Sequence, residues 1–179
     1  KMKKILITGG AGYLGSILTE HLLNNGFHVT VLDKLSYGQA NLFHLAYHSN
    51  FEFIHGDCRD RSLMKQAIKD KCVIIPLAAI VGAPACDLDH VGMQTINVDA
   101  IEMLCEIRNK EQKIIYPTTN SGYGTKSGDV FCTEETPLEP VSLYGLTKVK
   151  AEKLLLQQEN VLTLRLATVF GMSPRFRLD

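Results

Sequence analysis

The chain has 179 residues and equal numbers of basic and acidic side chains, 19 each, so it is long enough for one sizeable core and carries no net formal charge. This balance indicates neither a nucleic-acid partner nor binding to an acidic membrane, and no apolar run is as long as a membrane span. Five cysteines without a C-x-x-C pair predict reduced thiols in a cytoplasmic protein, with no zinc site.

The first predicted strand, at 4–8, runs directly into the glycine-rich segment Thr8–Gly15, which reads TGGAGYLG. A strand that breaks into a glycine turn and then a helix leaves helix-start N–H groups available to hold a phosphate. Asp33 ends the second predicted strand, 18 residues beyond Gly15, where an acidic residue accepts the adenine-ribose hydroxyls. Because that carboxylate would repel a 2′-phosphate, the pattern predicts NAD rather than NADP.

Short apolar runs continue to alternate with helix-like stretches along the rest of the chain. We predict further strands at 51–55, 72–76, 113–117 and 161–166, and helices from 13 to about 25 and near 38–48, 60–69, 92–109 and 142–158. This alternation predicts an α/β fold, a doubly wound Rossmann-type parallel sheet flanked by helices. His44 and His48 have helical i,i+4 spacing, which we interpret as a surface helix face rather than a metal site.

Tyr144 and Lys148 stand at i,i+4 spacing at the start of the last predicted helix, on one face. A nearby cation favours the phenolate of a tyrosine, so this pair predicts a general base that takes a proton from an alcohol or sugar hydroxyl. Hydroxyl side chains, among them Thr119 and Ser121, follow the fifth strand at the sheet edge that faces the cofactor cleft. One of them would hydrogen-bond the reacting hydroxyl.

Taken together, these segments resemble the extended short-chain dehydrogenase/reductase family of nucleotide-sugar epimerases and dehydratases. The resemblance covers residues 4–171 and depends on the glycine-rich segment, on Asp33 and on later motifs, namely Gly56-Asp57, Leu77–Ala79, Asn97-Val98, Thr118-Thr119, Tyr123-Gly124, Pro140, Tyr144 to Lys148, Ala151-Glu152, Leu164-Arg165 and Gly171. It implies that Tyr144 is the catalytic base, that Lys148 also binds the nicotinamide ribose, and that Thr119 is the hydroxyl partner.

The resemblance also implies the cofactor-binding residues. They comprise the glycine-turn residues Gly9, Gly12, Tyr13 and Leu14, the ribose ligand Asp33, the adenine contacts Asp57 and Cys58, the lining residues Leu77, Ala78 and Ala79, and Tyr144 with Lys148. Asn97 would support the site from its helix, with a role in helix packing as the alternative. The resemblance further implies a homodimer through helices 92–109 and 142–158, which carry apolar residues such as Met103 and Leu146, although these faces have the alternative of packing on the chain's own sheet.

Departures from the family pattern narrow the expected chemistry. Dehydratases of this family usually carry an Asp-Glu or Ser-Glu pair directly after the hydroxyl residue, and Asn120 and Ser121 stand there instead. We therefore expect oxidation at C4 of a nucleotide-diphosphate sugar, with a 4-epimerase favoured and a hexose or heptose 4-dehydrogenase that releases the 4-keto product as the alternative. A 4,6-dehydratase and a non-catalytic NAD-binding protein are less favoured.

Two expectations concern the ends of the resemblance. Residues 1–171 would form the NAD-binding domain with the catalytic pair, and 172–179 would begin a substrate-binding region that is mostly absent from this chain. The loop Leu77–Cys86 resembles the corresponding loop in a branch of the family that modifies sugars of bacterial surface polysaccharide. Cys86 in this loop would either face the substrate or be a buried or idle thiol.

Overall fold

Six parallel strands form one sheet in the order β3-β2-β1-β4-β5-β6. The computed structural model describes residues 2–38, 40–82, 88–126 and 131–175. Within these residues, the strands are β1 (Lys4–Thr8), β2 (His28–Asp33), β3 (Phe51–His55), β4 (Val73–Pro76), β5 (Lys113–Thr119) and β6 (Val161–Leu166). The order reverses between β1 and β4, and ligands of doubly wound sheets bind at the carboxyl end of such a switch point.

Both faces of the central strands are buried, because successive side chains of a strand point to opposite sides of the sheet. In β1, Leu6 contributes to one apolar cluster, whereas Ile5 and Ile7 contribute to the other. All three side chains are at most 4% exposed. The short β-branched runs of the sequence are therefore buried strands, and the predicted α/β fold with a Rossmann-type sheet is confirmed.

Helices pack on both faces of this sheet. Helix α1 (Tyr13–Asn24) lies on one side, and α2 (Arg61–Ala67), α4 (Ala100–Ile107) and α5 (Leu143–Leu156) pack on the other. Helix α3 (His90–Gln94) continues through a π-helical segment, Thr95–Asp99, into α4. A wide π turn of this kind is often found at a functional site, and here it carries Asn97.

The predicted helix at 38–48 is wrong. Among the described residues of this range, 38 and 40–48, only a single 3-10 turn, Phe43–Leu45, forms. Leu42 and Leu45 are buried, but Phe43 and Tyr47 are 75% and 87% exposed. One 3-10 turn is enough to bury Leu42 and Leu45, which lie three residues apart. The i,i+4 spacing of His44 and His48 therefore does not reflect a helix. His44 instead lies 3.5 Å from Glu20, and His48 accepts a hydrogen bond from the Asn50 amide.

In the described ranges, no helix combines the length and apolar character that crossing a membrane requires. Nor do the same residues bring together three His, Cys, Asp or Glu side chains in an arrangement that could hold a metal ion.

Candidate active site

The glycine-rich turn lies between the end of β1 and the start of α1, and it has no room for side chains. Gly9 has φ +73°, and a Cβ on it would stand 2.6 Å from the backbone nitrogen of Ala78. A Cβ on Gly15 would stand 2.5 Å from the Gly9 carbonyl oxygen. These glycines therefore let the turn, the helix start and the segment after β4 approach one another closely.

We expect Gly9→Ala to destabilise the protein severely, because it combines backbone strain with a collision against backbone atoms that have no free rotation. Gly26→Ala is the matched control: its φ is +79°, but nothing lies within 4 Å of the added Cβ. The control should lose about 1–2 kcal/mol from strain alone, and Gly9→Ala clearly more. Urea unfolding of both variants measures the difference, and equal losses would contradict a steric role for Gly9.

Helix α1 begins without a side-chain cap. Its N-cap residue is Gly12, and no acidic residue occupies its first turn. The starts of α2, α3 and α5 are all capped, by Asp60, Asp89 and Ser142, whose side chains accept backbone N–H groups. The first N–H groups of α1, at Tyr13 and Leu14, have no side-chain cap, and together with the dipole of the helix they form a site that favours an anion.

Asp33 closes this site from the end of β2. One carboxylate oxygen accepts the Ala11 amide at 2.9 Å, and the other accepts the Leu35 amide at 2.8 Å. Asp33 is 9% exposed. Because a carboxylate has about four acceptor positions, two remain for hydroxyl groups of a ligand after these bonds form. Asn41 also holds the turn, since its amide donates to the Ala11 carbonyl at 3.0 Å. No local pattern in the sequence indicates this role.

The predicted adenine contacts, Asp57 and Cys58, follow β3. Hydrogen bonds from Arg59 hold the pKa of the Asp57 carboxyl well below its usual range, and Lys34 lies 3.2 Å from the same group. Burial raises the pKa of the Cys58 thiol to about 11, so this thiol stays protonated and acts as an apolar wall. Cys58 lines a small cavity at the carboxyl edge of the sheet together with Ala78, which is another predicted cofactor contact. The other lining residues were not predicted to contact the cofactor, namely Thr8, Met64, Pro76, Ile96, Ala100, Ile101 and Leu104.

Leu77, Ala78 and Ala79 leave the end of β4 beside the glycine turn. The Leu77 amide donates to the Thr8 carbonyl at 2.9 Å, which fixes the start of this segment. Further along, Asn97 both accepts from the Ile80 amide at 2.9 Å and donates to the Ile80 carbonyl at 3.1 Å. Asn97 is thus a buried clamp for this loop. Cys86 lies outside the described residues.

The Tyr144–Lys148 pair occupies the first two turns of α5. Lys148 is 5% exposed, its ammonium donates to the Pro117 carbonyl at 3.0 Å, and it lies 3.9 Å above the centre of the Tyr116 ring. Burial lowers the pKa of Lys148 to about 7, against the opposing effect of the Glu152 charge. Tyr116 was not predicted as a site residue, although it lies two residues after buried Ile114 on β5 and so shares the face that packs on α5.

Thr119 ends β5 and starts a 3-10 turn, Asn120–Tyr123. Its hydroxyl accepts the Ser121 amide at 3.1 Å and donates to the Ser121 hydroxyl at 3.1 Å. The turn packs directly on α5, because a Cβ on Gly145 would stand 3.0 Å from the Ser121 carbonyl oxygen. The chain thus brings Thr119 to the same end of the sheet as the residues next to Tyr144.

Known proteins resemble this chain in sequence and in fold. The sequence profile described as the NAD dependent epimerase/dehydratase family matches residues 5–178. This chain belongs to that family. The Bacillus subtilis (strain 168) protein YtcB, which carries the name of a UDP-glucose epimerase, is 34% identical over 98% of this chain and 59% of its own length.

Solved structures of family members have the same fold. UDP-glucuronic acid 4-epimerase from Bacillus cereus, in complex with UDP-glucuronic acid and NAD, matches 90% of this chain and 55% of its own, with a TM-score of 0.81 and 32% identity. The dTDP-glucose 4,6-dehydratase from Bacillus anthracis, in complex with NAD, matches 91% of this chain and 54% of its own, with a TM-score of 0.78 and 29% identity. The chain spans about half the length of the relatives it matches.

Proposed function

We propose that this chain is the cofactor-binding and catalytic part of an NAD-dependent nucleotide-sugar 4-epimerase. The observation that carries the proposal is the position of Tyr144 and Lys148, which start a helix packed against the Thr119 turn at the carboxyl edge of the sheet. Relatives named as 4-epimerases, such as the Bacillus cereus enzyme, support the reaction class.

The residues fit NAD as the cofactor. The uncapped start of α1 would hold the pyrophosphate, the two remaining acceptor positions of Asp33 would hold the adenine-ribose hydroxyls, and Asp57 with Cys58 would contact the adenine. Lys148 would bind the nicotinamide ribose. When bound, NAD supplies the acceptor for a hydride from the sugar and later returns it.

Proton transfer at the sugar is the work of the chain's own side chains. We infer that Tyr144, as the phenolate, accepts the proton from the O4 hydroxyl while the C4–H bond breaks, which leaves a C4 carbonyl. Lys148 stabilises the phenolate by its charge, and the Thr119 hydroxyl orients O4. When the hydride returns to the opposite face of C4, Tyr144 gives the proton back to O4, and the product is the C4 epimer.

Dehydration at C5 and C6 is not expected. It needs carboxylic groups next to Thr119, whereas Asn120 and Ser121 are exposed and neither can act as a carboxylate acid or base. The predicted role in surface-polysaccharide synthesis and the cytoplasmic location remain predictions, as does the division of the chain at residue 171.

The experiment is product analysis by NMR with the complete protein and a panel of UDP-, dTDP-, GDP- and CDP-linked sugars, together with absorbance of NADH. We expect exchange between two C4 epimers without accumulation of NADH. A released 4-keto sugar with NADH would instead indicate a 4-dehydrogenase. A 4-keto-6-deoxy product would contradict the conclusion drawn from residues 120 and 121, and binding of NAD without any turnover would indicate a non-catalytic protein.

Cofactor preference gives a direct prediction for Asp33. Asp33→Ala should weaken NAD binding about 10- to 100-fold, because hydrogen bonds to a charged group are lost, and it should reduce the preference over NADP, because the repulsion of a 2′-phosphate disappears. Isothermal titration with both cofactors measures this. A thermal melt checks that the fold tolerates the loss of the Ala11 and Leu35 acceptor, and equal affinity of the unmodified protein for NAD and NADP would contradict the assignment.

We also propose a homodimer through α4 and α5. Of the apolar residues considered for this interface, Ala100, Leu104 and Val149 are buried in the chain's own core, whereas Leu146 is 50% exposed. An isologous interface through α4 and α5 would bury the exposed Leu146 side chain on both subunits. Sedimentation of the complete protein at micromolar concentration should give a dimer, and Leu146→Glu should shift it toward monomer. A monomer before any substitution would contradict the proposal.

A further inference from the structure

A buried ion pair connects the base helix to the turn that carries Thr119. Glu152, one helical turn beyond Lys148, is 2% exposed. Its carboxylate accepts from Nε of Arg165 on β6 at 2.9 Å and from the Thr163 hydroxyl at 3.4 Å. A buried charge requires such partners, because leaving it unpaired in the interior is costly.

The same guanidinium also reaches the loop after β5. Nη1 of Arg165 donates to the Tyr123 hydroxyl at 3.2 Å and to the Glu134 carbonyl at 2.9 Å. The guanidinium carbon lies 5.3 Å from the centre of the Tyr123 ring. Tyr123 in turn donates to the Thr133 carbonyl at 3.0 Å. Arg165 therefore contacts three separate parts of the chain at once, which the planar fork of an arginine allows and a lysine does not.

Tyr123 is the last residue of the 3-10 turn that starts after Thr119. The middle of this turn is pressed against α5, since a Cβ on Gly122 would stand 2.9 Å from the Val149 side chain. Its first part contacts the start of α5 through the close approach of Ser121 to Gly145. Its far end, at Tyr123, is joined to Glu152 of the helix through Arg165.

We propose that Arg165, held by Glu152, is a positioning residue that fixes the turn Thr119–Tyr123 on α5 and so sets the place of the Thr119 hydroxyl relative to Tyr144. The inference rests on the proposed function for its catalytic consequence, because misplacing a group that orients the substrate lowers the rate of the chemical step. Arg165 would act through the turn, and Glu152 through Arg165, rather than on the reacting atoms.

Tyr123→Phe tests the proposal with the least disturbance, since it keeps the ring and removes only the hydroxyl that Arg165 contacts. We expect kcat to fall about 10-fold, with KM and the Kd for NAD changed less than twofold. Thr163→Val is the matched control: it removes another hydrogen bond of the same Glu152 carboxylate but does not touch the turn, and it should leave kcat within twofold.

Two further measurements separate positioning from general loss of structure. Arg165→Lys should lower kcat by a similar factor, and the double variant should lose little more than either single one, because both changes break the same link. In the NAD-free complete protein, amide hydrogen exchange at residues 120–123 should be faster in Tyr123→Phe and unchanged in Thr163→Val.

The outcomes are distinguishable. If Tyr144→Phe is inactive in the same assay while Tyr123→Phe keeps its kcat or shows unchanged exchange, positioning by Arg165 is overturned and the proposed function stands. If the unsubstituted protein turns over none of the sugars, the proposed function fails, and the exchange experiment alone supports or overturns the anchoring of the turn.

Discussion

Tyr144→Phe should lower kcat by about 10²–10⁴-fold while NAD still binds, since the substitution removes the hydroxyl that we propose as the base. The phenol stands one turn before Lys148, which favours the phenolate in its ammonium form, at and below about pH 7 in the NAD-free protein. Steady-state rates of epimerisation and isothermal titration with NAD measure the two effects separately.

Tyr47→Phe is the control for the chemistry of this change. Tyr47 is 87% exposed in the segment before β3, so losing its hydroxyl should alter neither quantity. Full activity in Tyr144→Phe would overturn the mechanism, and a parallel loss of NAD affinity would indicate that Tyr144 supports the cofactor rather than the proton transfer.

Lys148→Met should abolish activity and yet stabilise the NAD-free protein at neutral and acidic pH. Burial lowers the pKa of Lys148 from its usual 10.5 to about 7. Below pH 7 the folded protein therefore contains a buried ammonium whose desolvation opposes folding. Methionine fills a similar volume without charge. We expect a gain of roughly 2–4 kcal/mol at pH 6, after allowance for the lost hydrogen bond to Pro117.

The sign of the pH dependence follows from the same pKa values. Between pH 7 and 10.5 the unfolded chain holds a proton on Lys148 that the folded chain has released, so the stability of the unsubstituted protein rises with pH in this window. The advantage of Lys148→Met should therefore be complete below pH 7 and shrink toward pH 10. Urea unfolding at pH 6 and pH 9.5 measures it.

Lys150→Met provides the matched comparison, because Lys150 lies on the same helix and is exposed. It should change stability by less than about 0.5 kcal/mol at either pH. An advantage of Lys148→Met that is equal at both pH values would mean that packing, not charge burial, causes the stabilisation. The expected opposition of stability and activity is common where a site keeps a group that the fold alone would not choose.

Much of the fold was predictable because its strands are short β-branched runs buried on both faces. The runs at 4–8 and 28–33 coincide with β1 and β2. The segment 38–48 was not predictable in this way, since its helical spacing reflects one turn with two buried leucines. The π-helical segment was missed as well, because a wide turn inside a helix leaves the apolar pattern nearly unchanged.

At the candidate site, the residues with a local signal were the ones found. Gly9, Asp33 and the Tyr144–Lys148 pair carry chemistry in their spacing. Tyr116 beneath Lys148 and Asn41 on the glycine turn act through contacts between distant segments. Arg165 stands in one of the motifs of the resemblance, but its role was not predictable from the sequence. Its partners on α5 and after β5 become neighbours only when the sheet forms. Such contacts have no pattern along the chain.

The uncapped start of α1 would make the stability of the fold depend on the concentration of the dinucleotide. Helices α2, α3 and α5 are capped by the side chains of Asp60, Asp89 and Ser142. A bound phosphate would do the same for α1. A ligand that binds only the folded state stabilises it more as its concentration rises above Kd. Scarcity of dinucleotide would therefore leave the protein more prone to unfolding and proteolysis, so its abundance would follow the supply of its cofactor.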